Sequence, residues 1–216
     1  VVIVSYMTIR MIQNDSIQES MQIYLEQITR EIDSDYYDMI GIVNQMSPNG
    51  LIGSVTESYL SAEDNYNRYF EQKSLREELI KLGYVNTKLL GIAYYDPKEQ
   101  KELIGNFNVR VLDPSYQTIS KVVVGAENII QAMHTSYLGI RETPVLSVMR
   151  RVPFGNKRVL DIYAEIEPDM SVSDRLNKEK WPYTYMEMDE NGIVQYSNNP
   201  VIVKGQKLLS ELPEKE

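Results

Sequence analysis

Residues 145–166, VLSVMRRVPFGNKRVLDIYAEI, decide the fold of this chain. Two apolar runs flank a Gly-Asn pair, and along each run apolar and polar residues alternate with the period of a half-buried β-strand. A two-residue loop at Gly155-Asn156, or a four-residue loop around it, predicts a β-hairpin. These residues therefore predict the last two strands of an antiparallel sheet.

The hairpin carries charged residues on strands that should be buried. In the register set by a two- or four-residue loop, Arg150 lies opposite Asp161, Tyr163 follows two positions along, and Arg151 lies at the rim of the apolar face. One interpretation is a cross-strand ion pair on a solvated face, which contributes a fraction of a kcal/mol. The other is a partly enclosed pocket in which these side chains orient a small polar ligand. A three-residue loop would shift every pair and remove this arrangement.

The composition excludes several classes of function. A net charge of −9 disfavours nucleic acid and an anionic membrane surface as partners, because both require clustered Lys and Arg. The absence of cysteine removes disulfides, thiolate nucleophiles and Cys-type zinc sites. A single histidine, His134, and the lack of nucleophile, Walker or dinucleotide motifs predict no catalytic residue, no metal and no cofactor.

The first half of the chain reads as helical. Residues 1–12 are apolar but shorter than the roughly 20 residues that cross a bilayer, so they are either part of a buried core element or the outer end of a transmembrane helix. Residues 15–46 repeat apolar side chains every three or four positions, which predicts a long helix. It is either an amphipathic helix lying along a domain core or a stalk that leaves a membrane and pairs with a second copy of the chain. Asp15 or Ser16 is its predicted N-cap, and the Ser-Pro-Asn-Gly sequence at 47–50 ends it.

The remaining segments complete an α+β pattern. Residues 55–82 predict a second helix with Gly83 as its C-cap. Strands are expected at 88–95, within 103–112 and at 122–124, and a short helix at 114–121. With the hairpin, these segments predict a long N-terminal helix packed on an antiparallel sheet of about five strands.

The order of these parts resembles a known family. The helix YLEQITREIDSDYYDMIGIVNQM, the strand LLGIAYYD and the hairpin TPVLSVMRRVPF…RVLDIYAEIE are similar to double-Cache domains, which are extracellular tandem PAS-like sensor modules. The resemblance is strongest to YesM-type sensor histidine kinases of Gram-positive bacteria. DMSVSDRLNK resembles the connecting helix of such domains, and YMEMDENGIVQYSNNPVIVKGQKL resembles the opening of a membrane-proximal module with a turn at Asn191-Gly192.

The resemblance implies a division of the chain and a function. Residues 1–14 would end a transmembrane helix, 15–50 form a stalk, 51–168 form a membrane-distal Cache module, 169–182 connect, and 183–216 begin a smaller PAS-like module. The segment would lie outside the cell membrane and pass ligand or partner binding through the long helix to the transmembrane segments of a two-component kinase. The alternatives are the ectodomain of a membrane-anchored AraC-type regulator or of a chemoreceptor, or a spacer that binds no ligand.

The resemblance also bears on the ligand. Double-Cache domains that sense amino acids carry an Arg and a Trp-Tyr pair ahead of an Ala, whereas this sequence has Ser120, Val122 and Val123 before Ala126. A sugar, an organic acid or an extracellular protein is therefore expected rather than an amino acid. The candidate ligand-binding residues are Arg150, Asp161 and Tyr163 of the hairpin, Tyr95 of the first strand, Arg110, and three residues expected in a loop, His134, Tyr137 and Arg141.

Overall fold

The computed structural model describes residues 2–106, 127–138, 144–155, 158–168, 184–188 and 191–207. By its internal contacts the chain divides into two compact units, residues 1–34 and 35–216. The elements in chain order are helices α1 (Val2–Met46), α2 (Leu51–Ser61) and α3 (Asn65–Val85), then strands β1 (Leu89–Asp96), β2 (Lys101–Gly105), β3 (Ile129–Thr135), β4 (Pro144–Pro153), β5 (Val159–Ile166), β6 (Met186–Met188) and β7 (Val194–Ser197).

The first helix is longer than the sequence predicted. It runs without interruption from Val2 to Met46, so the expected N-cap at Asp15 or Ser16 is wrong. The apolar residues before Asp15 continue the helix instead of preceding it. Its end is as predicted, and there the Ser47 hydroxyl donates to the Val43 carbonyl at 2.8 Å. Among the described residues, no helix combines the length and the apolar character needed to cross a bilayer.

The predicted second helix is two helices. The chain leaves α2 after Ser61 and restarts at Asn65, where the Asp64 carboxylate accepts the Asn67 N–H at 2.8 Å. This side-chain cap satisfies a backbone donor that the first turn of α3 cannot pair. Gly83 lies inside α3, which continues to Val85, so it is not the C-cap.

The five-stranded antiparallel sheet is confirmed. Its strand order is β2-β1-β5-β4-β3, and every neighbouring pair is antiparallel. Strand β3 was missed, because the sequence around His134 was interpreted as a loop. The helix predicted at 114–121 and the strand predicted at 122–124 lie outside the described residues.

One face of the sheet packs on the helices and forms the apolar core. Tyr94 of β1 and Ile162 of β5 are both fully buried there, and the Tyr94 hydroxyl donates to the Met46 carbonyl at the end of α1 at 2.5 Å. Met39 and Val43 of α1 are fully buried as well. Each such side chain contributes about 1.5–3 kcal/mol of transfer free energy. We call this the helix face.

A separate two-stranded sheet follows. Strands β6 and β7 pair antiparallel, and Gly192 in their connection has a φ of 72°, which favours glycine. The turn predicted at Asn191-Gly192 is thus confirmed. The connector at 169–182 lies outside the described residues.

Burial on the helix face predicts unequal costs for two isoleucine truncations. Ile162→Ala removes a side chain with no exposed surface and should lower the free energy of unfolding by about 2–5 kcal/mol in urea titrations. Ile130→Ala on β3 is the matched control, because Ile130 is 49% exposed, and should cost about 1 kcal/mol or less. Similar losses for both variants would contradict the assignment of the core.

Candidate functional site

The hairpin has a different register from the one predicted. Arg151, not Arg150, lies opposite Asp161, and Arg150 lies opposite Ile162. The Phe154 N–H donates to the Arg158 carbonyl at 2.8 Å, which leaves a loop of three residues. A three-residue loop displaces β5 by one position relative to a two- or four-residue loop, so the face that holds Met149 and Arg151 receives the other set of β5 residues. The predicted pairing of Arg150 with Asp161 is therefore wrong.

The corrected register gathers polar residues on the sheet face opposite the helix face. We call this the site face. Its members alternate with those of the helix face along three neighbouring strands: Ala93 and Tyr95 on β1, Ser147, Met149 and Arg151 on β4, and Asp161, Tyr163 and Glu165 on β5.

Arg151 and Asp161 form a bidentate ion pair on this face. The Arg151 Nε and Nη2 atoms donate to the two Asp161 carboxylate oxygens at 2.6 and 2.8 Å. Asp161 is fully buried, and the Arg151 side chain is 12% exposed. A bidentate pair holds both groups in one geometry, and removing either partner would take two charge-assisted hydrogen bonds from the group that remains. The interpretation of Arg151 as a rim residue is also wrong.

Arg150 has a different task, on the helix face. Its Nε atom donates to the Asn128 side-chain oxygen at 2.8 Å, and its Nη1 atom donates to the Ser47 hydroxyl at 3.1 Å. Burial lowers the pKa of this guanidinium from its ordinary value. Arg150 thus connects the sheet to the end of α1 and does not belong to the site face.

Glu165 is the hub of the site face, and the sequence analysis did not single it out. The side chain is fully buried, and its Oε1 atom accepts the Tyr163 hydroxyl at 2.6 Å and the Tyr137 N–H at 2.7 Å. Its Oε2 atom accepts the Ser136 hydroxyl at 2.6 Å. Desolvation raises the pKa of Glu165, and the hydrogen bonds from Ser136 and Tyr163 oppose that rise. The carboxyl group therefore fixes the turn after β3 to the site face.

His134 joins this network from β3, not from a loop as predicted. Its Nδ1 atom lies 2.7 Å from the Thr135 carbonyl, which can only accept, so Nδ1 carries the proton. Its Nε2 atom, 2.7 Å from the Ser147 hydroxyl, is then the acceptor in the neutral ring. Burial lowers the pKa of His134, which keeps the imidazole neutral near pH 7. The Tyr137 ring stacks on it at a centroid distance of 4.1 Å.

The structure brings together most of the predicted site residues that it describes. Asp161, Tyr163 and Tyr95 share the site face, and Tyr137 packs against the cluster of Tyr95, Leu138, Met149 and Tyr163. Arg150 is separated from them by the sheet. Arg110 and Arg141 lie outside the described residues, as do Ser120, Val122, Val123 and Ala126.

The residues that sequence reasoning missed are Arg151, Glu165 and Ser147. Asp161, Tyr163 and Glu165 are spaced by two in DIYAE, which places three polar side chains on one face of a strand. That spacing was a usable signal for the site face. Among the described residues, no group of three or more His, Cys, Asp or Glu side chains is arranged to hold a metal ion.

Comparison with known proteins supports the fold. No protein-family model matches the sequence, and no curated protein is significantly similar to it. The sensor domain of the V. cholerae histidine kinase DctB shares 12% identity over 88% of this chain and 70% of its own, with a TM-score of 0.55. At this identity the similarity establishes the Cache/PAS-like fold and nothing finer.

Two more distant structures are also similar. The extracellular domain of the putative histidine kinase rpHK1S-Z16 has a TM-score of 0.42 at 15% identity, over 74% of this chain and 64% of its own. The ligand-binding domain of Mlp24, solved with asparagine, has a TM-score of 0.42 at 13% identity, over 88% of this chain and 80% of its own. At these scores they add no argument about this chain.

The two adjacent arginines should differ in their effect on stability. Arg151→Ala removes the bidentate cation from the fully buried Asp161 carboxylate and should lower the free energy of unfolding by about 3–5 kcal/mol at pH 7. Arg150→Ala is the matched control, and it should cost about 1–3 kcal/mol, the contribution of hydrogen bonds from a partly buried cation. Chemical denaturation of both variants measures this. A larger loss for Arg150→Ala would restore the predicted register.

Glu102 gives the protein a pH dependence. This residue lies opposite Tyr95 in the β1–β2 ladder, and its Oε2 atom is buried with no hydrogen-bond partner within the described part of the chain. Desolvation raises the pKa of Glu102 from 4.5 to about 7, although Arg76 opposes the rise. The folded protein therefore retains a proton that the unfolded chain releases at lower pH.

The contribution of Glu102 to the free energy of unfolding should therefore fall as pH rises from about 4.5 to about 7. The fall is no more than about 1.4 kcal/mol per pH unit. Glu102→Gln removes this term, so the variant should gain stability over the wild type at pH 8 and not at pH 4. Denaturation curves across that range test the prediction. An equal difference between the two proteins at both pH values would contradict it.

Proposed function

We propose that this chain is the extracellular sensing domain of a membrane-bound two-component sensor histidine kinase of the YesM, double-Cache type. The observation that carries the proposal is the charged network on the site face, in which Asp161 and Glu165 are fully buried and Arg151 is largely so. Burying an arginine and two carboxylates costs more free energy than an apolar core of the same shape. These charged and polar groups could bind a polar ligand, which an apolar core could not. The fold shared with a sensor domain is consistent with this proposal.

The ligand we propose is a small polar molecule, a sugar or an organic acid. The Arg151 guanidinium matches a carboxylate in bidentate geometry, while the Tyr163 and Ser147 hydroxyls and the His134 ring offer hydrogen bonds to hydroxyl groups. All these groups already have partners in the protein. A ligand would therefore exchange partners with the network, which is how binding would change the sheet. Arg110 and Arg141 remain predicted ligand-binding residues.

Signal transfer would pass from the sheet to α1. Three contacts join them: Arg150 to Ser47, Tyr94 to Met46, and the Tyr36 hydroxyl to the Gln131 carbonyl at 2.5 Å. The helix would carry the change toward transmembrane segments at either end of the domain, and a second copy of the chain would pair along it. Such a shift cannot exceed the difference in ligand affinity between the two states. The segment itself would catalyse no reaction.

A second candidate function is favoured by the completeness of the same network. Asp161 accepts two hydrogen bonds from Arg151, and Glu165 accepts bonds from four donors on Ser136, Tyr137, Leu138 and Tyr163. A network satisfied in this way is also what a spacer ectodomain without ligand would contain. The proposal also includes an extracellular protein in place of the small ligand. The parent protein could equally be a membrane-anchored AraC-type regulator or a chemoreceptor in place of a kinase.

A thermal-shift screen separates sensor from spacer. Sugars, oligosaccharides, organic acids and peptides are tested against the 216-residue chain. A ligand present at about 100 times its Kd should raise Tm by about 5–10 °C, because binding only the folded state stabilises it. Tyr137→Ala removes the ring stacked on His134 and should weaken that shift, whereas Tyr84→Ala, at an 81% exposed position on α3, should not.

The outcome discriminates in both directions. A shift that Tyr137→Ala weakens and Tyr84→Ala does not locates binding at the site face. No shift from any compound supports the spacer. A shift that neither variant changes would place the binding site elsewhere and overturn the role of the site face.

A further inference from the structure

Strand β3 is an edge strand with a β-bulge. Gln131 pairs with Ser147 and His134 pairs with Val145, so β3 has two residues between these pairs where β4 has one. A bulge leaves its extra residue outside the ladder. The Met133 N–H is used in a different way, since it donates to the Glu187 Oε2 atom at 3.1 Å.

Glu187 belongs to β6, so this bond joins the small β6–β7 sheet to the bulge. Its second oxygen, Oε1, accepts the Tyr185 hydroxyl at 3.2 Å. Burial raises the pKa of Glu187, and the bonds from Met133 and Tyr185 oppose the rise. Besides burial, the positive charge of Lys204 lowers the pKa of the His134 ring. The segment 184–207 therefore contacts the bulge at Met133.

The other side of the bulge reaches the site face. Met133 binds Glu187 through its backbone, and the next residue, His134, binds the Ser147 hydroxyl through its ring at 2.7 Å. Adjacent residues of one irregular segment thus contact the site face and the β6–β7 sheet. A bulge has fewer ladder hydrogen bonds than regular strand, so it changes conformation at lower cost.

We propose that Glu187 is the positioning residue that couples the site face to the β6–β7 sheet through the β3 bulge. The proposal rests on the proposed function, because it makes the site face the place where the input arrives. A change in the His134–Ser147 contact moves the bulge, which alters the bond between the Met133 N–H and Glu187. By linkage, release of Glu187 alters the His134–Ser147 contact to the same extent.

Hydrogen exchange tests the coupling without any ligand. Ser147→Ala removes the hydroxyl bound to His134, and Glu187→Gln removes the charge while keeping the shape of the side chain. Peptides covering 184–207 are followed by mass spectrometry in both single variants and the double variant. Each single change should raise exchange there by about fivefold or more, and Ser147→Ala should add nothing when Glu187→Gln is present. Ser58→Ala and Glu63→Gln, at exposed positions, are the matched controls.

Two results would overturn the coupling. One is an exchange rate at 184–207 in the Ser147→Ala variant that equals the wild-type rate. The other is an increase caused by Ser147→Ala that is as large in the Glu187→Gln variant as in the wild type. If Ser147→Ala does not fold, Tyr137→Ala perturbs the same ring of His134 and replaces it in the cycle. If a ligand binds in the thermal-shift screen but either of these two results is found, the coupling is refuted and the proposed function is not. Coupling without binding would refute the small-molecule input.

Discussion

The buried ion pair between Arg151 and Asp161 is the constraint on which the rest of the structure depends. Asp161 is fully buried, and in the observed register Arg151 lies opposite it and supplies a bidentate partner. A shift by one residue would place Arg150 opposite Asp161 instead and would separate Glu165 from its three donors in the turn after β3, which are Ser136, Tyr137 and Leu138. The Arg151–Asp161 pair and the hydrogen bonds of Glu165 therefore depend on the same register.

In that register the two adjacent arginines lie on opposite faces of the sheet. Arg150, one residue away from Arg151, reaches Ser47 at the end of α1 from the helix face, while Arg151 serves the site face. Because both faces are formed by the same strands, a rearrangement of side chains on one face can shift the backbone and so change the contacts on the other. In this account the sheet is the connection between an input on the site face and two outputs, α1 through Arg150 and the β6–β7 sheet through Glu187.

Much of the fold could be predicted from sequence, and the misses have physical reasons. The hairpin, the end of α1 and the antiparallel sheet followed from periodicity and from turn residues. The loop length did not, because Gly155-Asn156 fits two-, three- and four-residue loops, and an arginine, Arg150 or Arg151, lies opposite Asp161 in each case. The contacts of Glu165 with the turn after β3 distinguish the registers, and they join residues far apart in sequence. Strand β3 was missed because its bulge and its half-exposed edge position break the alternation that identifies a strand. For the same reason His134 was expected in a loop.

Interstrand backbone NOEs in the hairpin report which residues of β4 and β5 lie opposite each other, and so they test the register of the sheet. We expect contacts between Arg151 and Asp161 and between Met149 and Tyr163. Contacts between Arg150 and Asp161, and between Val148 and Tyr163, would contradict this register, because Arg151 would then lie on the opposite face of the sheet from Asp161 and Tyr163.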